Sequence, residues 1–139
     1  NYKVKNRNVY VLNNKCENAS TYNQSMLYTN NDKSKKTIVL GWQEISRRYL
    51  WDELSWLYDV EFELFQNQDI DKIIVAGPQR YDLAVRLKYA GINEKKIKIH
   101  KDLYEAKETI KNSKGNIYAI LNFDYVNDFN QVMEELKWN

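Results

Sequence analysis

The chain has 139 residues, 43% of them hydrophobic and 14% aromatic, enough for one domain that buries roughly two-thirds of its unfolded surface and too few for two. Its 21 basic and 19 acidic residues leave a net charge of +2 with no clustered basic face, which argues against nucleic acid as a partner. One cysteine, Cys16, and one histidine, His100, rule out an internal disulfide and a four-ligand zinc site, and no apolar run approaches the ~20 residues of a membrane-spanning helix.

The opening "YKV" and "NVYVL" flank the polar "KNRN", and together predict a two-stranded ribbon over residues 2–12. A loop, "NNKCENAST", leads to a short helix at "YNQSMLYTN". After a second loop, "TIVLGW" (37–42) is a continuous apolar run, the mark of a strand buried on both faces. "RRYLWDELSWLYDVEFELF" (47–65) follows, and its first part reads as a helix over 47–58 with Trp51, Leu54, Leu57 and Tyr58 packing on the sheet.

From "DKIIVAG" (71–77) onward the alternation is regular. This strand ends at Gly77-Pro78, and Pro suits a helix's first turn because its missing N–H is not needed there. "QRYDLAVRLKYAG" is a helix with Leu83, Leu87 and Ala90 inward, stopped by Gly91. "KIKIH" (96–100) is the next strand. Asp102 and Glu105 make a capping-box-like start for the helix "LYEAKETIKN". "NIYAILNF" (116–123) is a strand, and "YVNDFNQVMEELKW" a final helix with Val126, Phe129, Met133 and Leu136 inward. Strand–helix alternation with short connections predicts an α/β fold: a doubly wound, mostly parallel sheet with helices on both faces, plus the N-terminal ribbon. The basic runs "KSKK" (33–36) and "EKKIK" (94–98) are expected in solvated loops and strand ends. A lone cysteine suits a reducing compartment, so a cytoplasmic protein is expected. With no initiator Met, residues 1–139 are expected to be a single domain excised from a longer chain.

The four glycines form neither a P-loop nor G-x-G-x-x-G, so autonomous nucleotide binding is not expected. The helix start after Gly77, with Gln79 and Arg80, offers N–H groups to an anion, or is simply a helix start. Cys16 and His100 show no spacing that makes them a nucleophile–base pair. Asp52, Glu53 and Asp59 follow a buried strand, where α/β proteins place their sites. A carboxylate there can orient a histidine or bind an ammonium group; a solvated acidic face is the alternative, and the residues alone leave both open.

Four stretches carry a resemblance. "ELSWLYDVEFE" (53–63) resembles "D-x-S-W-x-x-D-x-D-F-E" in the C-terminal domain of the MurT family, the Mur-ligase-like subunit of lipid II isoglutaminyl synthase. "NKCENASTYNQSM" (14–26) is similar to that family's "K-N-P-A-G-x-N" loop, with Asn18 and Asn23 matching. "IIVAGPQRYDLAVRLKYAG" (73–91) and "NIYAILNFDYVNDF" (116–129) resemble its later strand–helix units. The resemblance implies a Mur ligase C-terminal-like fold and a part in amidating the D-glutamate of lipid II, a step in peptidoglycan synthesis. A GatD-type glutaminase partner would release ammonia from glutamine, and this domain would supply an acidic residue to that partner's site. Glu53 takes that position, with Asp52 and Asp59 behind it; Asn18, Asn23, Gln79 and Arg80 would face substrate or nucleotide. By the same resemblance, ATP and Mg belong to the full-length protein, and this domain alone binds no cofactor and does not catalyse the ligation. "NAST" stands where the family has "N-P-A-G", and no Gly lies near Glu53. Those departures support an alternative, a divergent non-catalytic interaction module that keeps the fold only.

Overall fold

The computed structural model describes residues 1–14, 19–41 and 59–136. Six strands form one sheet: β1 (Tyr2–Val4), β2 (Arg7–Asn14), β3 (Lys36–Gly41), β4 (Ile70–Ala76), β5 (Ile97–His100) and β6 (Asn116–Asn122), in the order β1-β2-β6-β3-β4-β5. β1 is antiparallel to β2, and every other pairing is parallel. The described helices are α1 (Ala19–Asn30), α2 (Arg80–Tyr89), α3 (Lys107–Asn112) and α4 (Phe123–Glu135), with 3-10 turns at Phe62–Asn67 and Glu94–Lys96. None is long and apolar enough to cross a membrane.

The chain steps outward from β3 to β4 to β5, then returns to insert β6 between β2 and β3. Right-handed crossovers therefore put the connections before the return on one face and those after it on the other. The core divides accordingly. Tyr22 and Met26 of α1, Phe62 and Phe65, and Leu83 and Leu87 of α2 pack with Ile38, Leu40, Ile73 and Val75. Leu103, Ala106 and Ile110, with Phe129, Val132 and Met133 of α4, pack with Val39, Ile74, Ala119 and Leu121 on the opposite face. A central strand such as β3 feeds both clusters by alternation, which is why Ile38, Val39 and Leu40 are apolar without a break.

The predicted α/β class and mostly parallel sheet are as read from the sequence, with three differences. The ribbon is not a separate feature, because β2 extends to Asn14 and pairs in parallel with β6 from Val9 to Asn14. The helix expected from Leu103 begins at Lys107. Asp102 Oδ1 does accept the Glu105 N–H at 2.9 Å, but it closes a run of turns, not an α-helical first turn. Lys36, expected in a solvated run, is completely buried because β3 starts there and pairs with β4 and β6 on either side. The helix expected over 47–58 lies outside the described residues. Gly91 ends α2 as predicted: at φ 86 it lets its own N–H reach Lys88 O and the Ile92 N–H reach Leu87 O, a Schellman closure.

Candidate functional site

In a doubly wound sheet the crevice lies at the carboxyl ends of the strands, where neighbouring strands send their connections to opposite faces. Here β6, followed by α4, stands between β2 and β3, whose connections leave on the other face. The segments that follow β2 and β3 contain Asn18, Asp52 and Glu53, as well as Cys16, and these four lie outside the described residues. At the end of β6, Asn122 is buried, and its Oδ1 accepts no hydrogen bond from the described residues.

The turn after β4 is ordered by its own backbone. Gly77 takes φ 102, donates its N–H to Lys101 O at 3.1 Å, and accepts at its carbonyl from Arg80 N and Nη1, both at 3.1 Å. A Cβ is disfavoured at that φ, which is the reason for Gly at this point. Arg80 also lies over the Tyr81 ring, 4.7 Å from its centroid. Gln79 is buried at the N-cap of α2, and its side chain caps no N–H there. The donors that remain for an anion are those of the first helical turn. Without a lysine or a Gly-rich loop, and with Arg80 folded back on Gly77, these residues do not make a nucleotide site by themselves. Among the described residues no cluster of His, Cys, Asp and Glu could hold a metal. His100 ends β5 with its Nε2 2.9 Å from the Thr109 hydroxyl and its Nδ1 3.6 Å from Glu105, so both ring nitrogens face α3 and the turn before it.

The acidic stretch enters the described structure at Asp59, which is exposed at the start of a turn. Val60 and Phe62 behind it are buried. Arg86 reaches this turn from the middle of α2 and is itself only 4% exposed. Its Nη2 donates to the Val60 carbonyl at 2.7 Å and to the two carboxylate oxygens of Glu63 at 2.7 and 3.1 Å, and its guanidinium lies 5.3 Å from the centre of the Phe62 ring. The hydrogen bond from Arg86 outweighs partial burial and holds the Glu63 carboxyl below its usual range. Asn23 comes from α1, where its Oδ1 accepts the Glu61 N–H at 2.7 Å. Of the expected site residues that are described, Asp59 and Asn23 therefore meet at one turn, while Gln79 and Arg80 stand at the end of β4. Arg86 escaped the sequence reading. Its one visible signal was a charged residue three places after Leu83 and one before Leu87, inside the apolar pattern.

These features define a doubly wound α/β domain with no phosphate-binding loop among the described residues and an acidic turn, residues 59–63, held between α1 and α2. The sequence matches the model of the MurT ligase C-terminal family over residues 16–125, most of its length, and the chain belongs to that family. Among its relatives are the lipid II isoglutaminyl synthase (glutamine-hydrolyzing) subunit MurT of Staphylococcus aureus strain COL and that of strain N315. Each is 38% identical over 71 residues, which is 51% of this chain and 16% of the relative. The matched stretch is therefore a small part of those subunits.

Proposed function

We propose that this chain is the C-terminal domain of a MurT-like, ATP- and glutamine-dependent amide ligase subunit that amidates the D-glutamate of lipid II. In this reading it docks a GatD-type glutaminase and supplies an acidic residue to the glutaminase site. The observation that carries it is the family match across residues 16–125, which takes in the whole acidic stretch. The relatives' own description, a glutamine-hydrolyzing synthase subunit, supports the same reading. Glu53 is the foremost candidate, followed by Asp52 and Asp59. A carboxylate in this role accepts the N–H of the partner's imidazole, fixes its tautomer and stabilises the imidazolium formed when the nucleophile is deprotonated. Asn18, Gln79 and Arg80 then lie toward the substrate or nucleotide side, whereas Asn23 holds the Glu61 N–H at the acidic turn. Nucleotide and Mg are held by the rest of the full-length chain, in the cytoplasm.

Sedimentation of the full-length chain with the GatD-type glutaminase of the same organism tests docking, and a glutaminase assay on the complex tests chemistry. Wild type and Glu53→Ala are both expected to co-sediment, with glutaminase turnover falling about a hundredfold or more in the variant. A folded wild-type chain that does not bind the glutaminase refutes the reading. Binding with no loss of turnover in Glu53→Ala, Asp52→Ala or Asp59→Ala would instead favour the interaction module, for which the missing Pro and Gly of "NAST" speak.

A further inference from the structure

We propose that Asn23 and Arg86 are positioning residues that together fix the direction in which Asp59 is offered to the glutaminase; this rests on the reading above. The two side chains act on a single peptide unit. Arg86 Nη2 binds the carbonyl of Val60, and Asn23 Oδ1 binds the N–H of Glu61, each at 2.7 Å. Those are the two polar ends of the peptide joining Val60 to Glu61. A plane gripped at both ends cannot turn about its flanking backbone bonds without losing one grip. Asp59 lies one residue before this plane, so the direction of the chain at Asp59 is set here.

The two grips come from different elements. Asn23 is on α1 and Arg86 on α2, so the turn is located relative to two of the described helices on this face of the sheet. The buried Val60 and Phe62 flank the plane and hold it against the core. Packing alone does not call for an arginine at position 86. A buried guanidinium gives up its hydration, and an aliphatic side chain would fill the space without that cost. What arginine adds is a planar guanidinium fork, of which Nη2 by itself reaches both the Val60 carbonyl and the Glu63 carboxylate. Direction, not adhesion, is the property that this choice of residue supplies.

The test uses the full-length chain with the GatD-type glutaminase, and measures glutaminase kcat at saturating partner, KM for glutamine and the dissociation constant of the complex. Asn23→Leu removes the acceptor while Asn23→Asp keeps it. Arg86→Met removes the donors while Arg86→Lys keeps one charged donor without the fork. Asn23→Leu and Arg86→Met are expected to lower kcat about ten- to a hundredfold, with KM and the dissociation constant moving less than about threefold. Asn23→Asp should restore kcat, and amide exchange at Glu61 should quicken in Asn23→Leu but not in Asn23→Asp. A role in stability alone would lower the melting temperature and leave kcat per folded complex unchanged. If Arg86→Met does not fold, the Asn23 pair decides the matter. Wild-type kcat in Asn23→Leu beside an Asp59→Ala complex that has lost activity, or wild-type kcat in Asp59→Ala itself, overturns the positioning role and leaves the functional reading intact. Absence of any complex between the wild-type chain and the glutaminase overturns both.

Discussion

Replacing Asp32 by Asn should remove an acid-sensitive stabilisation at the end of the sheet opposite the candidate site. Asp32 Oδ2 accepts from Asn116 Nδ2 at 3.0 Å and from the Tyr118 hydroxyl at 2.9 Å, while Oδ1 accepts from the backbone N–H and the hydroxyl of Ser34. Partial burial opposes the charge, but the four donors outweigh it and hold the carboxyl at about 2, against an ordinary 3.8. At about 1.4 kcal/mol per pH unit, and allowing for partial exposure, the depression contributes about 2 kcal/mol to folding at neutral pH. Because the folded-state value lies below the unfolded one, this stabilisation is complete above 3.8 and disappears as pH falls through about 2. Urea unfolding of wild type and Asp32→Asn across pH 2 to 7 measures it. The wild-type advantage should be about 2 kcal/mol at pH 7 and shrink steadily below about pH 4. A difference that stays constant across that range would refute the linkage and leave only a loss of hydrogen-bond geometry.

Two further substitutions probe the same end of the sheet. Lys36 is completely buried, its ammonium has no hydrogen-bond partner among the described residues, and burial pulls its pKa down against the nearby charges of Asp32 and Asp69. Lys36→Met should therefore stabilise the domain by about 1–3 kcal/mol at pH 7. The depressed value of a base makes the wild type gain stability as pH rises toward 10.5, so the advantage of Lys36→Met should narrow on the alkaline side; a variant less stable at pH 7 would contradict this. Gly115 takes φ 83, and a Cβ built there meets the Lys35 carbonyl oxygen at 1.9 Å. Gly115→Ala should cost about 3 kcal/mol or more in denaturant unfolding, since both the backbone angle and a neighbouring strand's main chain oppose it. A cost below about 1 kcal/mol would show that the 113–116 turn can move.

What was legible in the chain, and what was not, follows from where each signal is written. β3, β4 and β6 are covered on both faces, so their middles (residues 38–40, 73–76 and 117–121) are buried on both sides and the runs stand out. β2 carries Arg7, Asn8, Asn13 and Asn14, and only its parallel pairing with β6, a hundred residues away, makes it a main-sheet strand. Lys36 misled because a lysine beside two others looks solvated, whereas strand pairing on both sides decided its burial. The candidate site divides in the same way. Acidic residues after a buried strand are visible in one dimension, and so is the family pattern that contains them. The support beneath them is not, since Arg86 lies 26 residues from the carbonyl it binds and Asn23 lies 38 residues from its partner N–H. A local pattern cannot express that a single peptide is held from two helices. If the acids are to act in a partner's site, their usefulness depends on direction to within a fraction of an ångström. The residues that set that direction are then as much a part of the site as the acids are, and they are the part that only the fold reveals.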